Sequence, residues 1–218
     1  TFIGGSYRTL NPAVQSGAAV GVPASQIFAG LVLIDDKYQP KPYLATDWNV
    51  SEDALTYTFH LGKGATFHDG KPLTSEDVAF SLKAVKGNHP FGRAMFGNVM
   101  AVETPDPITV IFRLSKPTPA FMLSLQPLLL PILPKHVYDD GRDLKTHPRN
   151  MENVVGSGPF IVAENNPSQR LVLRRNPHFF IVGHPYLDQI IFEISKDPFT
   201  RMLMLEKGDL DFAPFSGL

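Results

Sequence analysis

The spacing of apolar positions along this chain changes several times, and each change marks an element. "LTYTFHL", residues 55–61, alternates strictly, with Leu55, Tyr57, Phe59 and Leu61 on one face and Thr56, Thr58 and His60 on the other. That is the period of a half-buried strand. The turn residues of "SEDALT" precede it, so 48–61 predicts a hairpin. After Gly70 the period lengthens: Val78, Leu82 and Val85 follow at i, i+4 and i+7, behind Thr74 and Asp77 at capping-box spacing. A helix over about 75–86 follows, ended by Gly87-Asn88. Two strands are expected in "VMAVETPD" and "PITVIFRLS", then short helices in "PAFMLSL" and "PKHVYDD". From residue 158 the pattern is strand-rich ("GPFIVAENN", "QRLVLRRN", "DQIIFEIS"). A helix comes next, capped by Asp197, started at Pro198 and closed by Lys207-Gly208, and "DLDFAPF" reads as a last strand. At the other end, "TFIGGSY" is β-like, "NPAVQSGAAVGVPAS" reads as a loop, and residues 26–33 as a helix running into a strand. Strands and helices mix without regular βα alternation, which favours an α+β fold over a doubly wound sheet.

Composition narrows the classes. At 218 residues folding buries roughly 70% of the surface of the unfolded chain, enough for a substantial core. A net charge of -1, from 20 basic and 21 acidic side chains, shows no basic surplus of the kind that nucleic-acid binders carry. The longest apolar run, "FMLSLQPLLLPIL", is broken by Pro127 and Pro131 and falls short of the roughly 20 residues of a membrane span. With no cysteine, disulfides, zinc–thiolate sites and cysteine nucleophiles are excluded. No leader precedes Thr1, which leaves open a trimmed exported chain or a cytosolic one.

The stretch with the most chemistry in it is "FHDGKPLTSEDV", residues 67–78. As a phosphate loop it fails, because Gly64 and Gly70 enclose five residues and Pro72 stands where a hydroxyl and a backbone N–H are needed. As a catalytic dyad, His68 and Asp69 are adjacent and point apart on extended backbone, so an Asp-Gly turn before the helix is the better reading. The seven histidines show no H-E-x-x-H spacing, and no metal site or cofactor is expected. "GSGP" at 156–159 lacks the nucleophile elbow and feeds a strand. Asp209 and Asp211, Lys135-His136 and Arg174-Arg175 read as solvated charges.

Five blocks in order carry a resemblance. "LATDWNVSEDALTYTFHLGKGATFHDGKPLTSEDVAFSL" is similar to the signature block of the extracellular solute-binding proteins of peptide, dipeptide and nickel ABC importers, with Ala54 where a glycine is common. "SQIFAGLVLID" (Ala29 replacing a usual glutamate), "PILPKHVY", "VGSGPFIVAENNPSQRLVLRRNPHFF" and "PYLDQIIFEISKDPFTRMLMLEKGDLDF" resemble further family segments. The resemblance implies lobe I of a bilobed clamp: a discontinuous core over 1–40 and 155–218, with a smaller α+β subdomain inserted at 41–154. The second lobe is expected after residue 215 and is absent from this sequence. A periplasmic or lipid-anchored extracytoplasmic location, a peptide-like solute, a membrane permease partner and a monomer are implied, with no enzyme activity; a hydrolase using histidine and carboxylates is the competing class. The implied ligand-binding residues are Ser16, Gly17 and Ala18 in the small-residue loop, Ser157 in the glycine turn, and Phe215.

Overall fold

A computed structural model of the chain describes residues 2–4, 7–195 and 197–212. Among them two four-stranded sheets share one continuous hydrophobic core. The first is an antiparallel sheet built from two hairpins. Strands β4 (Ala45–Val50) and β5 (Thr56–Leu61) form the expected hairpin, β6 (Val99–Asp106) and β7 (Thr109–Leu114) form a second, and the order is β4-β5-β7-β6. The predicted faces hold: Tyr57, Phe59, Leu61, Val110, Phe112 and Leu114 are all buried. Phe59 meets Phe112 edge-on with ring centroids 5.7 Å apart, and Phe112 meets Phe121 at 5.4 Å. Such pairs add roughly 0.5–1.5 kcal/mol each to the burial of their area.

Helix α2 (Ser75–Asn88) covers this sheet through Val78, Leu82 and Val85. It ends at the expected Gly87-Asn88 stop, with His89 as the C-cap, whose N–H reaches Val85 O at 2.9 Å. A short helix α3 (Gly92–Phe96) follows. "PAFMLSL" is a 3-10 turn at Met122–Leu125, and α4 is a single turn at Lys135–Tyr138.

The second sheet has the order β1-β10-β9-β8, with β1 (Phe2–Gly4) parallel to β10 (Gln189–Ile194), and β9 (Arg170–Arg175) and β8 (Phe160–Asn166) antiparallel beyond it. It joins the two ends of the described chain, whereas the antiparallel sheet uses only residues 45–114. A two-stranded ribbon, β2 (Val32–Ile34) with β3 (Pro40–Pro42), links them. Helix α5 (Pro198–Glu206) has the expected cap, with the Asp197 carboxylate accepting from the Phe199 and Thr200 N–H groups, and Gly208 (φ +79°) lies just beyond its end.

Two expectations need correction. Half of the "NPAVQSGAAVGVPAS" loop is helix α1 (Ala18–Ile27), because Val20, Ala24 and Ile27 recur at helical spacing and are buried against β8. "DLDFAPF" does not continue as a strand over 209–211; Gly208 turns the chain and Leu210 alone is buried. Phe212 makes a single β-bridge, and the rest of that segment, 213–215, lies outside the described residues.

The β4–β5 turn tests the local physics. Ala54 sits at φ +53°, a left-handed conformation that costs a residue with a Cβ about 1 kcal/mol. Replacing Ala54 with Gly is expected to raise unfolding free energy by about 0.5–1 kcal/mol in urea denaturation; a decrease would contradict this reading of the turn.

Candidate functional site

The small-residue loop is anchored from behind. Asn11 is fully buried; its Nδ2 donates to Asn150 Oδ1 at 2.9 Å and its Oδ1 accepts from the Ala13 N–H at 2.9 Å. The Leu10 N–H reaches Asn150 O at 2.9 Å, and Asn150 Nδ2 donates to Leu144 O at 2.7 Å. From this buried amide network the chain emerges at Ser16, Gly17 and Ala18, all exposed. Gly17 has φ +115°, which only glycine adopts readily, and nothing lies within 4 Å of the Cβ it lacks. It is the N-cap of α1, without a side-chain cap and without an acidic residue in the first turn. The loop therefore offers backbone and open space.

The glycine turn lies at the other end of that helix. The Gly158 N–H donates to Ile27 O at 2.8 Å. A Cβ on Gly156 would stand 2.0 Å from Ile27 O, and one on Gly158 2.6 Å from Gln26 O. Backbone crosses backbone here with no room for a side chain, so glycine is required at both positions. Ser157 between them is fully buried, and its Oγ has no hydrogen-bond partner among the described residues. Ten helical residues separate it from Ala18, about 15 Å at 1.5 Å per residue. Ser16, Gly17 and Ala18 thus form one exposed group and Ser157 sits in a separate, buried turn, while Phe215 lies outside the described residues.

His68 occupies the opposite side of the turn, 88 residues away in sequence. Its backbone N–H donates to Gly156 O at 2.8 Å, its Nδ1 accepts from the Gly156 N–H at 3.2 Å, and its Nε2 lies 3.1 Å from Gly158 O. An acceptor at Nδ1 leaves the proton on Nε2, which donates to the carbonyl. Desolvation pulls the pKa of this imidazole from 6.5 down to about 4, against the opposing pull of the Gly158 carbonyl and Asp69. The sequence reading of "FHDG" as a turn holds, with Gly70 at φ +82° and its N–H on Phe67 O. His68 is nonetheless more than a turn residue.

The carboxylates of that stretch are also engaged. Asp69 turns from His68 to His136 Nε2, 2.7 Å away on α4. Buried Asp77 accepts from the Thr74 N–H through Oδ2 and from the Lys135 N–H through Oδ1, both at 2.9 Å. Ser81 Oγ accepts from the Leu133 N–H at 2.7 Å, and Lys135 Nζ pairs with Glu76 at 2.8 Å. The expectation that Lys135-His136 is simply solvated is corrected, because both are tied back to residues 69–77. Arg175 likewise donates to Tyr186 O and pairs with Asp188. Among the described residues no group of three or more His, Asp and Glu side chains is placed to hold a metal ion, and no helix is long and apolar enough to cross a membrane.

Comparison with known proteins gives these contacts a context. Residues 39–217 match the model of the bacterial extracellular solute-binding proteins, family 5, middle region. The glutathione-binding protein GsiB of Salmonella paratyphi A is 29% identical over 214 residues, 97% of this chain and 41% of that protein. The chain thus spans about two fifths of the length of the curated relatives it matches. Among solved structures, the oligopeptide-binding protein AppA of Bacillus subtilis, in complex with a nonapeptide, superposes with a TM-score of 0.88 at 27% identity, covering 97% of this chain and 43% of its own. NikZ of Campylobacter jejuni, in complex with Ni(L-His), gives a TM-score of 0.86 at 28% identity, covering 97% and 42%.

Gly156→Ala drives a methyl group into Ile27 O. Its expected cost is roughly 3 kcal/mol of unfolding free energy, or failure to fold; a stability within 0.5 kcal/mol of the parent chain would show that the crossing is looser than described.

Proposed function

The chain belongs to the bacterial extracellular solute-binding proteins of family 5, and we propose that it forms one wall of a clamp that captures short peptide-like solutes outside the cytoplasmic membrane and passes them to a membrane permease of an ABC importer. The observation that carries this reading is the superposition of 97% of this chain on 43% of AppA, a protein solved with a nonapeptide. The similarity to glutathione-binding proteins argues in the same direction, since glutathione is itself a tripeptide. On this reading the protein is a monomeric binder without catalytic activity or cofactor.

The exposed loop at Ser16, Gly17 and Ala18 is the proposed contact surface. Its small side chains and open glycine let a peptide backbone approach closely and hydrogen-bond to main-chain groups. The turn carrying Ser157 is the proposed support behind it, at the far end of α1, and Phe215 completes the proposed set. A clamp gains affinity by closing two surfaces around the solute and excluding water. One wall leaves the solute half-hydrated, so binding by this chain alone is expected to be weak.

The test is a titration of the isotopically labelled chain with glutathione and with short synthetic peptides, followed through backbone amide NMR signals. The expected result is fast-exchange shifts concentrated at residues 16–20, with the peptides recovered intact. Shifts confined to other surfaces would overturn the site, tight stoichiometric binding would overturn the one-wall reading, and cleavage of the peptides would favour the hydrolase reading.

A further inference from the structure

We propose that His68 is a positioning residue for the solute-binding wall, bridging the backbone of Gly156 and Gly158 so that the turn is held at the spacing on which helix α1 seats. The role of α1 as bearer of the contact loop rests on the functional reading above; the bridge itself does not.

The turn presents three backbone polar groups on one side: the Gly156 N–H, the Gly156 carbonyl and the Gly158 carbonyl. His68 engages all three, at 3.2, 2.8 and 3.1 Å. On the other side the Gly158 N–H goes to the helix, at Ile27 O. Among the described residues the other side chain on these groups is Asn176, whose Nδ2 shares Gly158 O at 3.1 Å. Two glycines leave the turn without side chains to wedge it in place, so its position is set by what grips its backbone. A buried backbone group that loses its partner costs about 1–3 kcal/mol; of the three, the Gly156 N–H depends on the His68 ring alone, Gly158 O is shared with Asn176, and Gly156 O is held by the His68 backbone.

An imidazole suits this place because one small rigid ring carries an acceptor and a donor side by side. Protonation would turn the Nδ1 acceptor into a second donor facing the Gly156 N–H, and the bridge would break. The charges around it do little to favour that form. Residues 154–160 and helix α1 carry no ionisable side chain. The neighbouring carboxylate, Asp69, is drawn to His136 of α4 and lies near Lys71. The low pKa of the ring, about 4, agrees with this geometry. Since the unfolded chain takes up its proton near pH 6.5 and the folded chain only near 4, unfolding binds a proton between these values. The bridge's contribution to stability is therefore present above about pH 6.5 and is lost as pH falls towards 4.

The experiment uses the 218-residue chain and His68→Ala. In the parent chain, imidazole nitrogen NMR is expected to find His68 neutral with its proton on Nε2 down to about pH 5. In His68→Ala, hydrogen exchange of the Gly158 amide is expected to quicken about tenfold or more, with the Phe59 and Phe112 amides of the antiparallel sheet unchanged, and the loss of stability between pH 6.5 and 4 is expected to shrink. A proton on Nδ1, a titration near 6.5, or unaltered Gly158 exchange in a folded variant would overturn the proposal. Should His68→Ala fail to fold, the parent's tautomer and titration decide it. Glutathione serves as the probe that separates the two readings. Parent-chain shifts absent from 16–20 count against the functional reading alone, and unaltered exchange beside normal glutathione shifts counts against the bridge alone.

Discussion

The structure turns on one crossing of backbone over backbone. Where Gly156, Ser157 and Gly158 pass the last turn of α1, an added Cβ at position 156 would meet Ile27 O at 2.0 Å. No packing of side chains can substitute for that approach, and it fixes α1 relative to β8, which begins at Phe160. His68, reaching over from the segment between β5 and α2, grips the other side of the same turn. The antiparallel sheet and the mixed sheet are joined in this way by hydrogen bonds of fixed direction as well as by a shared apolar core. Direction matters here, because hydrophobic burial alone would tolerate sliding of one sheet on the other.

The same logic organises the charged residues of 69–77. Asp77 is buried and satisfies two N–H groups from different segments, one at the start of α2 and one at the start of α4. Ser81 adds a third link by accepting from Leu133, and Asp69 with His136 a fourth. The exposed Lys135–Glu76 pair contributes little by comparison, since surface ion pairs yield about 0–1 kcal/mol. A cluster of His, Asp, Lys and Glu that invites a catalytic reading is thus consumed in holding loops to a helix, and the adjacency of His68 and Asp69 carries no dyad: each side chain serves a different partner.

Much of the fold was legible because its signals are local. Alternation in "LTYTFHL" and "PITVIFRLS" gave strands with the right faces, and the caps at Thr74–Asp77 and at Asp197 marked helix starts. Helix α1 was missed because Gly21 and Pro23 weaken its propensity; what makes it a helix is burial of Val20, Ala24 and Ile27, a tertiary effect. The candidate site was legible only in part. The exposure of Ser16, Gly17 and Ala18 follows from their small-residue loop, whereas the burial of Ser157 and the bridge from His68 depend on contacts across 88 to 90 residues that no spacing rule reports. The paired glycines of "GSGP" were the one available sign that another segment comes close.

The proposed function rests on a loop that offers backbone, small side chains and open space, backed by helix α1 and by the turn that His68 grips. Photo-crosslinking tests that most directly. A tripeptide carrying a diazirine is irradiated with the chain, and the adduct is located by mass spectrometry. Adducts on residues 15–20 are expected, diminished by excess unlabelled glutathione; adducts concentrated instead on the groove between α2 and α4 lined by Lys83, Lys135 and Arg142, with none on the loop, would contradict the assignment.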